Sequence, residues 1–206
     1  MQARFHYWGP LLVSFKVNEK ELNQIKKLCS KKGKPYNRNL VGVIKDEHEI
    51  DALKYDKILK PYTLGYQKTF AHFRGFELKG TIQCSTAWVN YMKNGESNPP
   101  HIHHNCHLSS VLVLDLPEQL KVEQKAWKGT GDGPAALTFF TGNPQNFHAN
   151  TFGFHPEPGD FFIFPWNLTH SVSSFRSKAT RITVAANFKV SDDNIFEKKE
   201  APDEKK

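Results

Sequence analysis

Four of the ten histidines in this chain of 206 residues fall within seven positions, His101, His103, His104 and His107, in the stretch Asn90 to Pro117. Neutral imidazole is a common ligand for iron, zinc, copper and nickel, and two histidines one residue apart on an extended strand point to the same side. The run Val111 to Leu114 that follows is apolar and too short for a globular helix, which suits a buried strand and sets the imidazoles at its mouth. Far downstream Pro158-Gly159-Asp160 opens a second apolar strand, Phe161 to Phe164, and after Pro165 and Trp166 the chain reaches His170, a third candidate ligand. Histidine-rich tracts can also be solvated loops, so the HxH pair acquires meaning only with this distal partner.

Gly95, then His101-Ile102-His103, and later P-G-D-x-x-x-x-P-x-x-x-x-H resemble the two halves of a double-stranded β-helix metal site, as in cupins and Fe(II)/2-oxoglutarate oxygenases. Eleven residues past His170 stands Arg181, in the alternating stretch Ala179 to Phe188 that puts Arg181 and Thr183 on one face. This resembles the R-x-S/T pattern by which 2-oxoglutarate oxygenases hold the distal carboxylate of their cosubstrate. Arginine offers a planar fork matched to a carboxylate, and threonine adds a hydroxyl donor. Cupins do not require such an arginine.

The order Tyr91, Gly95, His101 is similar to the prolyl-hydroxylase-like branch, with one extra residue between tyrosine and glycine. Further matches, Trp88-Val89-Asn90-Tyr91, Asn98-Pro99-Pro100-His101, Leu108-Ser109-Ser110-Val111 and Phe164-Pro165-Trp166 up to His170-Ser171-Val172, resemble the 2-oxoglutarate oxygenase family of marine bacteria and their phages over about residues 82 to 188. The resemblance implies Fe(II) held by His101, His103 and His170, and 2-oxoglutarate held by Arg181 and Thr183 with Tyr91. It also implies dioxygen and an organic or peptidyl substrate as partners, and hydroxylation as the reaction. The departure from the family is His103, which stands where an aspartate ligand is usual; His104, His107 and Asn105 are the competing positions. A cupin-like metalloprotein that uses no keto acid and a non-catalytic binding module on the same fold are the alternatives.

These residues need a scaffold, and 206 residues with 38% hydrophobic content suit one domain. The expectation is a mainly β, jelly-roll domain over 1–190, with a helix-and-strand preamble over 1–80 that braces a β-helix core over 81–190, and a charged, disordered tail over 191–206. A strand is expected within Leu11–Val17, then a helix from Asn18 towards Gly33 with Asn18 and Glu21 as a capping box, and a second helix from about Lys60-Pro61 with Tyr62, Tyr66, Phe70 and Phe73 along one face. Strands are expected at Ile82–Met92, Leu108–Leu114, Leu120–Gln124, Leu137–Phe140, Phe161–Phe164 and Arg181–Phe188. Gly129, Gly131 and Gly133 read as a mobile loop, since a P-loop's Lys-Ser/Thr and helix are missing, and Gly142 to Pro158 reads as a substrate lid.

A formal charge of +7 favours anionic partners without specifying nucleic acid, because no aromatic residues interleave with the lysines of the first helix. Three widely spaced cysteines imply no disulfide framework, and no stretch approaches the roughly 18 apolar residues of a membrane span, so the expected setting is the cytoplasm, that of a host if the chain is phage-encoded.

Overall fold

The Asn18 side chain accepts the Glu21 amide at 3.0 Å, and this cap starts the first helix where the sequence expects it. In the computed structural model, which describes residues 9–31, 33–143 and 150–191, strand β1 (Val13–Lys16) leads into that helix, α1 (Glu19–Cys29). A loop and the short strand β2 (Glu47–Glu49) follow, then helix α2 (Ala52–Arg74). Helix α2 begins at Ala52, eight residues before Lys60 of the expected Lys60-Pro61 start, so Pro61 lies inside it. Asp51 caps it by accepting the Lys54 amide at 3.0 Å, and the buried Tyr55 and Leu59 extend the stripe of Tyr62, Tyr66 and Phe70 towards the N-terminus. One backbone hydrogen bond lost at a proline is offset by two more turns of buried stripe. The helix ends on Gly75 at φ 73°, a left-handed cap that glycine adopts without strain.

Strand β3 (Ile82–Lys93) turns through Gly95 into β4 (Asn98–His101), and β5 (Leu108–Asp115), α3 (Glu118–Ala126), β6 (Leu137–Phe140), β7 (Thr151–Phe154), β8 (Asp160–Pro165), β9 (Thr169–Val172) and β10 (Thr180–Val190) complete the chain. Two antiparallel sheets result, one in the order β1-β8-β5-β10-β3-β2 and one in the order β4-β9-β6-β7. This is the expected double-stranded β-helix with bracing helices. Leu120–Gln124 corrects to helix: it lies within α3, anchored by the buried Leu120. Within the expected lid, Thr151–Phe154 is a strand paired with β6. His148 and the tail beyond Ser191 lie outside the described residues. The Trp127 ring lies against the three-glycine loop, donating to the Gly131 carbonyl at 3.0 Å.

Two cores flank the larger sheet. Helices α1 and α2 cover one face with Ile25, Tyr55, Leu59 and Tyr66, met by Leu112, Val184, Ala186 and Phe188. The smaller sheet covers the other, where Met92, Leu137, Phe139, Phe162, Phe164 and Phe175 pack. The period of two along β10 therefore sends Ile182, Val184 and Ala186 towards the helices and Arg181, Thr183, Ala185 and Asn187 between the sheets. On β3 the pairing with β10 steps from Cys84 to Thr86, and past this irregularity Trp88 and Asn90 face between the sheets while Val89 and Tyr91 face the helices.

Candidate metal and cosubstrate site

His101, at the end of β4, lies directly opposite His170 on β9. His103 follows past the strand end, its amide bonded to the Trp166 carbonyl at 2.9 Å. The ring centroids are 4.3 Å apart for His101 and His170, 5.1 Å for His103 and His170, and 5.3 Å for His101 and His103. One ring nitrogen from each lies within 4.8 Å of the other two, and among the described residues this is the group of three able to hold a metal ion.

Backbone carbonyls orient two of the rings in the same way. His101 Nδ1 donates to the Pro99 carbonyl at 2.8 Å and His170 Nδ1 to the Leu168 carbonyl at 3.0 Å, each two residues upstream. Both Nδ1 atoms must carry the proton, which leaves Nε2 as a lone pair. His103 Nε2 sits 3.3 Å from His170 Nε2, a separation that one shared proton or one shared cation accounts for. Asn187 hydrogen-bonds the His103 ring, and Asn187 Oδ1 in turn accepts from Ser109 Oγ at 2.9 Å. The donor set fits iron: three neutral imidazoles, converging and braced from behind.

Burial keeps them neutral. It pushes His103 down to about 4 and His170 to about 3, with the neighbouring histidines adding to the effect, and it lowers His101 as well. Their folded pKa values lie below the unfolded value of about 6.5, so the unfolded chain binds more protons in between. The metal-free protein should hold this stability above about pH 6.5 and lose it as pH falls towards 4, by about 3 kcal/mol for His103 alone. Urea melts at pH 7 and pH 4.5 check this, and His103→Gln should flatten the slope; an unchanged midpoint in the wild type would show that the rings are not buried neutral.

The competing ligand positions lie elsewhere. His107 Nδ1 accepts the Val190 amide at 2.8 Å, His104 is exposed beside the Trp166 ring, and Asn105 is exposed with φ 57°.

Arg181 and Thr183 line a cavity of about 300 Å³ that the three histidines also line. Arg181 is 2% exposed, its Nε and Nη2 have no hydrogen-bond partner among the described residues, and burial lowers its pKa to about 10, which still leaves it cationic at neutral pH. Thr183 Oγ1 accepts from Asn90 Nδ2 at 3.3 Å. A buried guanidinium without an anion calls for one, and a carboxylate fits its fork. Tyr91, expected beside the cosubstrate, packs on the helix side of β3, and its hydroxyl donates to the Cys29 carbonyl at 3.3 Å. Asn90 faces the cavity in its place. Sequence reasoning also missed Tyr36, Trp88 and Glu47 in the lining, because nothing in their local composition separates them from ordinary loop and strand residues.

Residues 86–187 match a family model described as "Putative 2OG-Fe(II) oxygenase". Among solved structures, a 2OG-Fe(II) oxygenase family oxidoreductase from Burkholderia pseudomallei aligns with TM-score 0.53 and 13% identity, covering 86% of this chain and 84% of that one. A Pseudomonas putida prolyl-4-hydroxylase aligns with TM-score 0.55 and 12% identity, over 88% and 92%. A Trichoplax adhaerens prolyl hydroxylase, solved with a hypoxia-inducible-factor peptide fragment, aligns with TM-score 0.50 and 11% identity, over 86% and 82%. At these identities the likeness is one of fold. No curated protein sequence matches the chain. The family match spans His101, His103, His170, Arg181 and Thr183, and the chain belongs to the 2OG-Fe(II) oxygenase family, whose cofactors are Fe(II) and 2-oxoglutarate.

Proposed function

We propose that the chain is an Fe(II)- and 2-oxoglutarate-dependent dioxygenase that hydroxylates an organic substrate, working in the cytoplasm. His101, His103 and His170 would hold the iron, and Arg181 with Thr183 would take the distal carboxylate of the keto acid. The observation that carries this reading is the buried Arg181, whose Nε and Nη2 have no partner among the described residues, in the same cavity as three neutral imidazoles. Fe(II) with 2-oxoglutarate would supply dioxygen activation, one oxygen atom going to the hydroxylated substrate and the other into the succinate formed as the keto acid loses carbon dioxide.

The chain's own residues orient and shield. Pro99 and Leu168 fix the ring tautomers, Asn187 steadies His103, and Asn90 holds the Thr183 hydroxyl in place through its amide. The segment from Tyr36 to Ile44 roofs the cavity, tied down where the Val43 amide bonds the Ser97 carbonyl at 3.1 Å and the Lys45 amide bonds Glu96 at 3.2 Å. Three neutral ligands leave the full dication uncompensated until the dianionic keto acid arrives, so metal and cosubstrate should bind with positive coupling.

Under anaerobic conditions, Fe(II) and 2-oxoglutarate added together should give a weak visible charge-transfer band that neither gives alone. Admitting air should then yield succinate. Metal binding with neither band nor succinate would point instead to a cupin-like metalloprotein.

A further inference from the structure

Glu47 is the second unpartnered ionisable group in this cavity. It opens the edge strand β2, opposite Asn90 on β3, which is itself opposite Thr183 on β10, so the three form one lateral row facing between the sheets. Glu47 is 1% exposed, and neither carboxylate oxygen has a hydrogen-bond partner among the described residues. Its acidic neighbour is not in the same position: Glu96 accepts the Lys45 amide through one oxygen and the Lys93 amide, at 2.8 Å, through the other. Arg181 does not serve as its counter-ion, since Arg181 Nε and Nη2 and both Glu47 oxygens are left without partners in one shared cavity.

A buried carboxyl in this condition is costly, and a neutral side chain of the same size would avoid the cost. Burial, reinforced by Glu96, pushes its pKa up to about 7, which leaves it poised to ionise when a cation arrives. Once the keto acid has engaged Arg181, Glu47 is, among the described residues of the lining, the buried charge-bearing group still without a partner. Beside it stand two aromatic faces. The Tyr36 amide bonds the Glu47 carbonyl at 2.9 Å, the Tyr36 and Trp88 ring centroids are 5.3 Å apart, and Trp88 lies 5.8 Å from the His103 ring, so the two rings lead from the strand that carries Glu47 to the metal end. Aromatic faces next to a carboxylate suit an organic cation and its aliphatic stem.

We propose that Glu47 is the specificity residue of this enzyme, accepting the basic nitrogen, ammonium or guanidinium, of a substrate whose aliphatic stem lies over Tyr36 and Trp88 towards the three histidines; this rests on the oxygenase reading above. A basic nitrogen brings both the N–H donors and the charge that Glu47 lacks.

The test uses the full chain loaded with Mn(II), with and without 2-oxoglutarate, in calorimetric titrations. The probes are the N-acetyl N-methylamides of lysine and arginine, and their neutral counterparts made from norleucine and citrulline. The basic probes should bind at least tenfold more tightly than the neutral ones, and Glu47→Gln should remove that preference while the Kd for 2-oxoglutarate stays within twofold. The proposal is overturned if neither basic probe binds, if neutral probes bind as well, or if the preference survives in Glu47→Gln. The wild-type comparison needs no variant, so a folding defect in Glu47→Gln does not shield the proposal. Absence of 2-oxoglutarate binding would sink the oxygenase reading separately, because the probe preference is also read in the protein loaded with Mn(II) alone.

Discussion

Iron binding is expected to collapse in His103→Ala, to survive in His103→Asp and to be nearly unchanged in His107→Ala. The three rings of His101, His103 and His170 offer nitrogens within 4.8 Å of one another, and His107 is engaged instead with the Val190 amide. Losing a partner behind a metal ligand typically lowers affinity about 10- to 100-fold, so losing one of three ligands should cost more than about 100-fold. His103→Asp restores the family's usual residue at that position. Its carboxylate compensates part of the dication, so Fe(II) should bind at least as well as in the wild type, while the coupling between metal and 2-oxoglutarate should weaken. Asn187 remains available to hydrogen-bond the new carboxylate. Fe(II) titrations at pH 7, with and without 2-oxoglutarate, read both effects. Loss of metal in His107→Ala with retention in His103→Ala would place the second ligand four residues later.

How far such a site can be read from sequence depends on what holds each element in place. Strands β5, β6, β8 and β10 are apolar runs buried on both faces, and they were legible because burial alone stabilises them. Strands β2, β4, β7 and β9 are three or four residues long, mostly polar in β2 and β9, rich in proline in β4, and largely exposed with an inner glycine in β7; they exist because a neighbour supplies the ladder, and their own composition does not announce them. His170 could be found by its spacing from Pro158-Gly159-Asp160, but its pairing opposite His101 could not. The same distinction separates Arg181 from Tyr91. Alternation along an uninterrupted strand placed Arg181 and Thr183 on one face, whereas Tyr91 was carried over from a family pattern, and an irregularity near Ser85 together with the period of two leaves it facing the helices. Glu47 left no signal at all, because it opens a three-residue edge strand whose pairing opposite Asn90 sets it between the sheets.

Arg181 should show opposite effects on stability and on cosubstrate binding. Lowering its pKa from 12.5 to about 10 by burial corresponds to about 3 kcal/mol of cost to the cationic fold when no anion is bound. Arg181→Met keeps an unbranched apolar stem and removes that cost, so the variant without cosubstrate should melt higher than the wild type, by roughly 2–4 °C for each kcal/mol recovered. Adding 2-oxoglutarate with Mn(II) should then raise the wild-type Tm further through mass action and leave the Met variant where metal alone puts it. Arg181→Lys separates charge from shape. An ammonium keeps the charge but cannot form the forked contact that the free Nε and Nη2 offer, so its Kd for 2-oxoglutarate should rise about 10- to 100-fold. If 2-oxoglutarate stabilises Arg181→Met as much as wild type, or binds Arg181→Lys equally well, then the keto acid is anchored elsewhere and Arg181 answers to a different anion.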